Sequence, residues 1–300
     1  MTTATQSARP ISRTDSLLKI DDANFQADFG RRPFRIEHNL VDHPLFQVPR
    51  LIELARTLPE KKVEYNAGNI PVNLAPDKTP RNGLPIDETI RRIEACKSWM
   101  VLKNVELDAN YRELLDACLA GVFARAPGHQ DAGLREAFIF ISSPGSVTPY
   151  HMDPELNFLL QIHGNKQFHV FPSGDRALLS EEELERFYSG AHRNLVFRDE
   201  YQEKATTFEL QPGDGVHVPV TDPHWVKVGE GSYSISFSIT FQTLACERRA
   251  ALYSINHALR QKGRPPTPVG ESPWRDTLLY AKHRIGRRLR RLFGRAENSA

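Results

Sequence analysis

The stretch AFIFISSPGSVTPYHMDPELNFLLQIHGNKQFHVFP, residues 137–172, decides the fold. Its short apolar or alternating runs are separated by Pro, Gly and Asp, which is the pattern of β-strands joined by tight turns. Similar runs continue further along the chain, so roughly seven or eight strands are predicted within about 110 residues. This density predicts a mainly β domain with flanking helices, built as a jelly roll (double-stranded β-helix).

Helical spacing replaces the strand pattern on both sides of this region. Upstream, apolar residues predict a helix that ends before Pro59 and another over about residues 108–125. Downstream of Phe241 two more helices are predicted, and the second is basic. The expected organisation is a flexible N-terminal tail over residues 1–30, a domain with N-terminal helical elements over 31–250, and a basic helical region over 251–300.

Composition narrows the class of protein. Hydrophobic residues at 40% and charged residues at 25% are ordinary for a globular protein, and a net charge of +2 gives no general argument for nucleic-acid binding. Three cysteines without a CxxC pair favour a reducing compartment over a disulfide framework. No apolar run reaches the ~18 residues of a membrane span. The first residues lack the apolar centre of a secretory signal, so a cytoplasmic location is expected.

Two potential metal ligands stand two residues apart, His151 and Asp153. In a strand, residues at this spacing point to the same face, so the imidazole and the carboxylate can bind one cation. A third ligand would come from another strand. The segment LQPGDGVHVPVTDPHWVKV, residues 210–228, offers His217 and His224, and spacing alone does not choose between them.

A site of two histidines and one carboxylate leaves coordination positions open and is typical of non-haem Fe(II) oxygenases. The open positions can take a bidentate 2-oxo acid together with O₂. The distal carboxylate of such an acid needs a cation inside the barrel. Lys166, on the strand after the HxD segment, is suited to bind it, with the Thr148 hydroxyl as a second donor.

The segment GSVTPYHMDPELNFLLQIHGNKQFHVFP, residues 145–172, closely resembles the core of the JmjC/cupin-like 2-oxoglutarate oxygenases. It is most similar to the branch that contains the asparaginyl hydroxylase of hypoxia-inducible factor. The family pattern Thr-Pro-x-His-x-Asp, followed by Asn, Phe, Gln and Gly-x-Lys, is present without a gap. The resemblance covers roughly residues 136–243. It implies that Thr148 and Lys166 bind 2-oxoglutarate, that Asn157 lines its pocket, and that His151 and Asp153 bind iron.

A second family motif matches GDGVHVPVTDPH, residues 213–224, and selects His224 as the third iron ligand. Two positions depart from the family. The residues before His224 are Thr, Asp and Pro where the family often has aromatic residues, and Ser238 stands where an Asn often faces the co-substrate. Both departures concern the type of substrate, and neither removes a ligand.

The resemblance implies oxidative decarboxylation of 2-oxoglutarate by Fe(II) and O₂, coupled to hydroxylation of an unactivated C–H bond. The prime substrate is left open between a protein side chain and a small molecule. Asp153 argues against the related halogenases, in which a small residue replaces the carboxylate. Two alternatives stay open: a JmjC-type N-methyl demethylase, and a cupin-like module that binds a metal or ligand without turnover.

The C-terminal region combines basic and apolar residues at helical spacing. The resemblance favours a homodimer formed through the C-terminal helices, since such helices pair subunits in some relatives. Contact with nucleic acid or with an anionic membrane is the other reading of this pattern. Its basic residues are Lys282, Arg284, Arg287, Arg288, Arg290, Arg291 and Arg295, interleaved with Leu278, Leu279, Ile285, Leu289, Leu292 and Phe293.

Overall fold

The computed structural model describes residues 16–74, 78, 80–129 and 133–296, with side chains up to residue 288. Its strands are antiparallel throughout and form two sheets. In chain order the strands are β1 (Leu18–Lys19), β2 (Phe34–His38), β3 (Val63–Ala67), β4 (Ser98–Lys103), β5 (Arg135–Ser142), β6 (Val147–His151), β7 (Leu156–His163), β8 (Lys166–Val170), β9 (Thr206–Leu210), β10 (Asp214–Val218), β11 (His224–Val228) and β12 (Ser234–Phe241).

The larger sheet has the strand order β1-β2-β10-β7-β12-β5-β4-β3, and the smaller sheet has the order β6-β11-β8-β9. Strands that are distant in the sequence are therefore neighbours, as in a jelly roll. The predicted mainly β fold with flanking helices is confirmed. The helices are α1 (Asp22–Asp28), α2 (Val48–Thr57), α3 (Ile86–Arg91), α4 (Ala109–Arg125), α5 (Glu181–Tyr188), α6 (Leu244–Gln261) and α7 (Pro273–Ala296).

Strand β12 shows how the larger sheet separates two environments. All eight of its residues are buried, yet apolar and hydroxyl side chains alternate along it. Because successive side chains point to opposite faces, one face is apolar and the other is polar. The apolar face, with Ile235, Phe237, Ile239 and Phe241, belongs to the main core that also includes helices α2 and α4. The hydroxyl face points between the two sheets, where a polar site can form.

The two upstream helices form as their sequence pattern predicts. In α2, the residues Leu51 and Leu54 are buried against the core. Helix α4 begins after Asp108, whose side chain accepts a hydrogen bond from the Asn110 N–H at 2.9 Å. Such an N-cap satisfies a donor that the helix itself leaves without a partner. The apolar stripe of α4 packs on the outer face of the larger sheet and holds it in place.

The prediction of a flexible N-terminal tail over residues 1–30 is wrong for residues 16–30. Leu18 of β1 pairs with His38 of β2, and both Leu18 and Phe25 of α1 are buried in the core. A two-residue strand and a seven-residue helix are too short to show a clear period in the sequence. Residues 1–15 and 297–300, which belong to the predicted terminal regions, lie outside the described residues.

The C-terminal helical region begins at Leu244, before the predicted boundary at residue 251. The Thr243 side chain caps α6 by accepting a hydrogen bond from the Cys246 N–H at 3.3 Å. Among the described ranges, none of the helices combines the length and the apolar composition that a bilayer crossing requires.

Candidate metal centre

His151, Asp153 and His224 meet at one end of the smaller sheet. His151 is the last residue of β6, His224 is the first of β11, and the two are direct cross-strand partners. Their imidazole centroids are 4.2 Å apart. Asp153 lies just beyond the end of β6, whereas its spacing from His151 predicted a place within the strand. One ligand atom from each residue lies within 4.8 Å of the other two, which suits a single cation.

Hydrogen bonds to the backbone set the tautomer of both histidines. Nδ1 of His151 lies 2.7 Å from the Pro149 carbonyl oxygen, and Nδ1 of His224 lies 3.0 Å from the Asp222 carbonyl oxygen. Because a carbonyl can only accept, each Nδ1 carries the proton and each Nε2 presents a lone pair. This is how protein structures commonly orient a histidine that ligates a metal.

The Nε2 atoms of His151 and His224 are 3.6 and 3.5 Å from Asp153 Oδ2. Three acceptor atoms thus face one another with no hydrogen between them. Burial, and next the neighbouring His151, lower the pKa of His224 to about 3, so its imidazole stays neutral. A divalent cation bound among these atoms would be coordinated by all three and would remove their mutual repulsion. Imidazole and carboxylate ligands suit Fe(II). The residues therefore fit the metal that the resemblance implies.

Asp153 is held in its ionised form by Arg193. Burial alone would raise the pKa of Asp153, but the neighbouring Arg193 guanidinium holds that pKa well below the usual range. Arg193 Nη1 donates to Asp153 Oδ1 at 2.8 Å, so Oδ2 is the oxygen that faces the histidines. The sequence pattern gives no sign of a role for Arg193, because this residue lies in an irregular segment between α5 and β9.

The loop before His224 is strained and tied to its surroundings. Thr221 has a φ of 63°, which a β-branched residue rarely adopts, and it is fully buried. Its N–H donates to the Asp153 carbonyl oxygen at 2.9 Å, which joins two of the ligand-bearing segments. On the other side, Arg249 of α6 donates to the Thr221 hydroxyl at 2.8 Å. The conformation of this loop therefore depends on contacts from distant parts of the chain.

A cavity of about 180 Å³ extends from the three candidate ligands into the space between the sheets. Each residue predicted to bind 2-oxoglutarate lines it: Thr148, Asn157, Lys166 and Ser238. The rest of the wall is mostly apolar, which limits the access of water. It includes Trp99, Phe138, Phe140, Leu159, Phe168, Val226 and Val228.

Lys166 places a buried positive charge in this cavity. It is the first residue of β8 and is only 6% exposed. Within the described ranges no acidic side chain lies within ion-pair distance of its ammonium group. Burial lowers the pKa of Lys166 to about 7. An unpaired buried ammonium is unfavourable, and an anionic ligand in the cavity would remove that penalty.

Asn157 and Ser238 lie on the adjacent strands β7 and β12. The Ser238 hydroxyl donates to Asn157 Oδ1 at 2.8 Å. This bond orients the amide and leaves Asn157 Nδ2 as a donor without an acceptor in the described part of the chain. Ser238 therefore influences the cavity by orienting the Asn157 amide.

His217 lies apart from the three ligands. Its Nδ1 donates to the Asn157 carbonyl oxygen at 3.0 Å, and its Nε2 accepts from the Gly30 N–H at 3.0 Å. Both ring nitrogens are thus engaged, and the ring packs among Phe29, Phe34 and Phe158. Burial lowers its pKa to about 3, so the ring is neutral. This geometry leaves His217 no lone pair for a metal.

Two further cavity residues, Trp99 and Glu155, carry polar groups that the sequence pattern does not indicate. The Trp99 indole N–H is buried and has no hydrogen-bond acceptor in the described chain. Burial, and next the Asp153 carboxylate, raise the pKa of Glu155 to about 8. Trp99 is part of a buried apolar strand, where a sequence pattern indicates core packing and gives no sign of a ligand contact.

Comparison with known proteins agrees with the architecture. Residues 54–243 match the model of a family described as cupin-like domain. Among curated proteins, lysine-specific demethylase 8 of Danio rerio is 30% identical over 99 residues, which are 31% of this chain and 24% of that protein. The same-named protein of Xenopus tropicalis is 29% identical over 101 residues, 31% of this chain and 22% of that protein. The chain thus spans about a quarter of the length of the curated relatives it matches.

Solved structures with a similar fold include the X-ray structure of YcfD from E. coli. It has a TM-score of 0.49 and 17% sequence identity, and the alignment covers 85% of this chain and 62% of that chain. A structure of YcfD described as a ribosomal oxygenase from Escherichia coli, in complex with cobalt and 2-oxoglutarate, has a TM-score of 0.49 and 16% identity. That alignment covers 86% of this chain and 62% of the other.

Proposed function

Since the chain belongs to the cupin-like domain family, we propose that it is an Fe(II)- and 2-oxoglutarate-dependent oxygenase that hydroxylates an unactivated C–H bond. The observation that carries the proposal is the pairing of two features in one cavity. Three metal-ligand atoms converge at one end, and an unpaired buried lysine lines the same space. A ligand that satisfies both must carry a metal-chelating group and a second, anionic group.

The strand register supports a short dicarboxylate as that ligand. Along β11, His224 pairs with His151, Val226 pairs with Thr148, and Val228 pairs with Lys166. Four residues of strand separate His224 from Val228, or roughly 13 Å between their Cα atoms. Because the lysine side chain reaches back into the cavity, the remaining distance suits the carbon chain of a five-carbon oxo diacid. Thr148 lies midway and offers a hydroxyl to the same carboxylate.

The chain's own residues would position the reactants. When bound, Fe(II) would supply the chemistry that couples O₂ and oxidative decarboxylation of 2-oxoglutarate to C–H oxidation. His151, Asp153 and His224 would hold the metal on one face and leave the other open. Lys166 and Thr148 would bind the distal carboxylate, and the Asn157 amide would donate to an oxygen of the co-substrate. Apolar walls would keep water away from the reacting atoms.

The prime substrate would enter through an outer cleft of about 350 Å³. This cleft shares residues with the inner cavity, so the two spaces are neighbours. Its floor includes Trp99 and Phe140, and its polar residues include Lys103 and Glu64, whose side chains form an ion pair at 2.5 Å. A protein side chain and a small molecule both remain candidates for this space.

Turnover of the co-substrate tests the proposal directly. The purified chain, loaded with Fe(II) and ascorbate, should convert 2-oxoglutarate to succinate, even without the prime substrate. Asp153→Ala serves as the control, because it removes a ligand while leaving the strands intact. If the wild type makes no more succinate than the Asp153→Ala protein, the chain is not this kind of oxygenase.

The demethylase alternative is favoured by one observation, the name of the curated relatives, which align with about a third of this chain. Hydroxylation of an N-methyl group releases formaldehyde, whereas hydroxylation of a carbon side chain leaves a stable product. Formaldehyde release with methylated peptides would favour the demethylase. The third reading, a module without turnover, predicts binding of Mn(II) and 2-oxoglutarate but no succinate from the Fe(II) protein.

A further inference from the structure

Helix α7 carries an exposed apolar stripe. Trp274, Leu278 and Ile285 are 74%, 46% and 59% exposed. Their spacing of four and seven residues places them on one face of a helix with about 3.6 residues per turn. The opposite face attaches the helix to the protein, where Asp276 is buried and accepts a hydrogen bond from the Gly270 N–H at 2.8 Å. The apolar stripe therefore points away from the body of the chain.

Positive charge borders this stripe on both sides. At about 100° per residue, Lys282 falls on one flank, and Arg284 and Arg288 fall on the other. All three side chains are exposed. Between residues 273 and 296 the sequence has eight Lys and Arg and a single acid, the buried Asp276. Up to residue 288, the exposed surface of α7 thus carries charge of one sign only.

We infer that α7 lies in the plane of a membrane surface that contains anionic lipids. In this arrangement Trp274, Leu278 and Ile285 insert below the headgroups, and the basic residues on both flanks contact the lipid phosphates. An apolar stripe with an aromatic residue, bordered by Lys and Arg, is the pattern of helices that bind at this depth. Each basic residue near an anionic leaflet adds to the attraction.

Charge argues against a second copy of the chain as the partner of this face. Pairing two copies through the stripe would bring the basic flanks of both helices together, and like charges at that distance repel. Nucleic acid would satisfy the charges but would leave Trp274, Leu278 and Ile285 in water, since phosphate binding needs no apolar stripe. An anionic membrane matches both the charge and the apolar residues.

Sedimentation with vesicles tests the inference on the full-length chain. The protein should sediment with vesicles that contain phosphatidylglycerol and stay in solution with vesicles of phosphatidylcholine alone. The double variant Arg284→Gln/Arg288→Gln should bind roughly thirtyfold more weakly. The matched control Arg91→Gln/Arg92→Gln removes the same charge from two exposed positions at the C-terminal end of α3 and should bind like the wild type.

A second variant separates insertion from simple charge attraction. Leu278→Ser/Ile285→Ser keeps every charge but removes apolar surface, so it should lower vesicle binding roughly tenfold or more. The fluorescence of Trp274 gives an independent readout, because the other tryptophans, Trp99 and Trp225, are not freely exposed. Binding should shift the emission to shorter wavelength in the wild type and not in Trp274→Phe.

Three outcomes would overturn the inference. The first is a full-length protein that stays in solution with both kinds of vesicle. The second is a stable dimer in light scattering that the Leu278→Ser/Ile285→Ser variant converts to a monomer, which would show that a second copy covers the stripe. The third is salt-sensitive binding to RNA or DNA that exceeds vesicle binding and is unchanged in the same variant.

Discussion

The Arg249 guanidinium donates a hydrogen bond of 2.8 Å to the hydroxyl of Thr221, three residues before the candidate ligand His224. Arg249 belongs to α6, outside both sheets, so a C-terminal helix contacts the loop that carries this ligand. Thr221 has a backbone conformation that is unfavourable for its residue type. A strained residue next to a binding site keeps its conformation only when neighbouring contacts hold it, and Arg249 supplies such a contact.

Loss of the Thr221 hydroxyl should therefore weaken metal binding. Thr221→Val keeps the shape but removes the shorter of two Arg249 hydrogen bonds to this loop, leaving the one to the Val220 carbonyl oxygen at 3.3 Å. The expected cost is about 1–2 kcal/mol in stability. Thr221→Ser keeps the hydroxyl and is the control. Mn(II) titration should show weaker metal binding, and thermal unfolding a lower stability, in Thr221→Val than in Thr221→Ser. Equal metal affinity in Thr221→Val and the wild type would show that the loop keeps its conformation without this bond.

Removal of any one of the three ligands should abolish metal binding. His151→Ala, Asp153→Ala and His224→Ala each leave two ligands, which is too few for the site. His217→Ala should retain one metal ion per chain while losing about 2–4 kcal/mol of unfolding free energy, because it leaves a cavity among buried aromatic rings. Metal content and thermal unfolding measure the two effects. A His217→Ala protein without metal, alongside a His224→Ala protein with metal, would reverse the assignment.

Lys166→Ala should weaken 2-oxoglutarate binding while leaving the metal in place. Removing one partner of a buried charge pair typically costs about 3–5 kcal/mol, or roughly two to four decades in affinity. Lys227→Ala is the matched control, since that lysine lies on the neighbouring strand β11 with a side chain 45% exposed. A 2-oxoglutarate titration on the Mn(II) protein measures both variants. The same affinity in Lys166→Ala and in the wild type would remove this lysine from the binding site.

Binding of 2-oxoglutarate should be accompanied by proton uptake. Burial lowers the pKa of Lys166 to about 7, so much of it is neutral at pH 8 in the free protein. A carboxylate next to the ammonium group raises that pKa again, and the complex takes up a proton at pH values between the two pKa values. Calorimetry at pH 8 in buffers of different ionisation enthalpy measures the uptake. Lys166→Met should show none, and a wild-type protein without uptake would contradict the prediction.

The same lowered pKa affects stability. The unfolded chain holds the Lys166 proton up to the ordinary pKa of 10.5, whereas the folded chain loses it above about 7. Because the unfolded state then binds more protons, this group makes the free energy of unfolding rise with pH between about 7 and 10.5. Chemical denaturation of the metal-free protein across this range, compared with Lys166→Met, measures the slope. A slope that is identical in the two proteins would mean that Lys166 is charged in the folded state.

The sequence predicted the parts of the site that follow from local rules. His151 and Lys166 stand near strand ends in a continuous motif, so their positions could be read from strand spacing and from the resemblance. Arg193 and Arg249 could not be found in this way, since an irregular segment and a distant helix bring them to the site. The ordered elements β1 and α1, with the buried Leu18 and Phe25, were missed for a related reason. A strand as short as β1 is stabilised by its partner and not by its own pattern.

Strand β6, which ends at His151, is an edge strand of the smaller sheet within the described chain, and β11 is its one neighbour in that sheet. Beyond it lie loop contacts, such as the Leu195 N–H that donates to the Tyr150 carbonyl oxygen at 2.9 Å. Because its outer edge is bonded to loops, including a bridge from His151 to Asn194, and not to a second strand, β6 should open at a lower free energy than an interior strand such as β12. A metal shared by His151 and His224 would connect β6 to β11 and raise that local opening free energy. Amide hydrogen exchange in β6 would then slow on metal loading, while exchange in β12 stayed unchanged. The bound ion would therefore stabilise the strand that carries one of its own ligands.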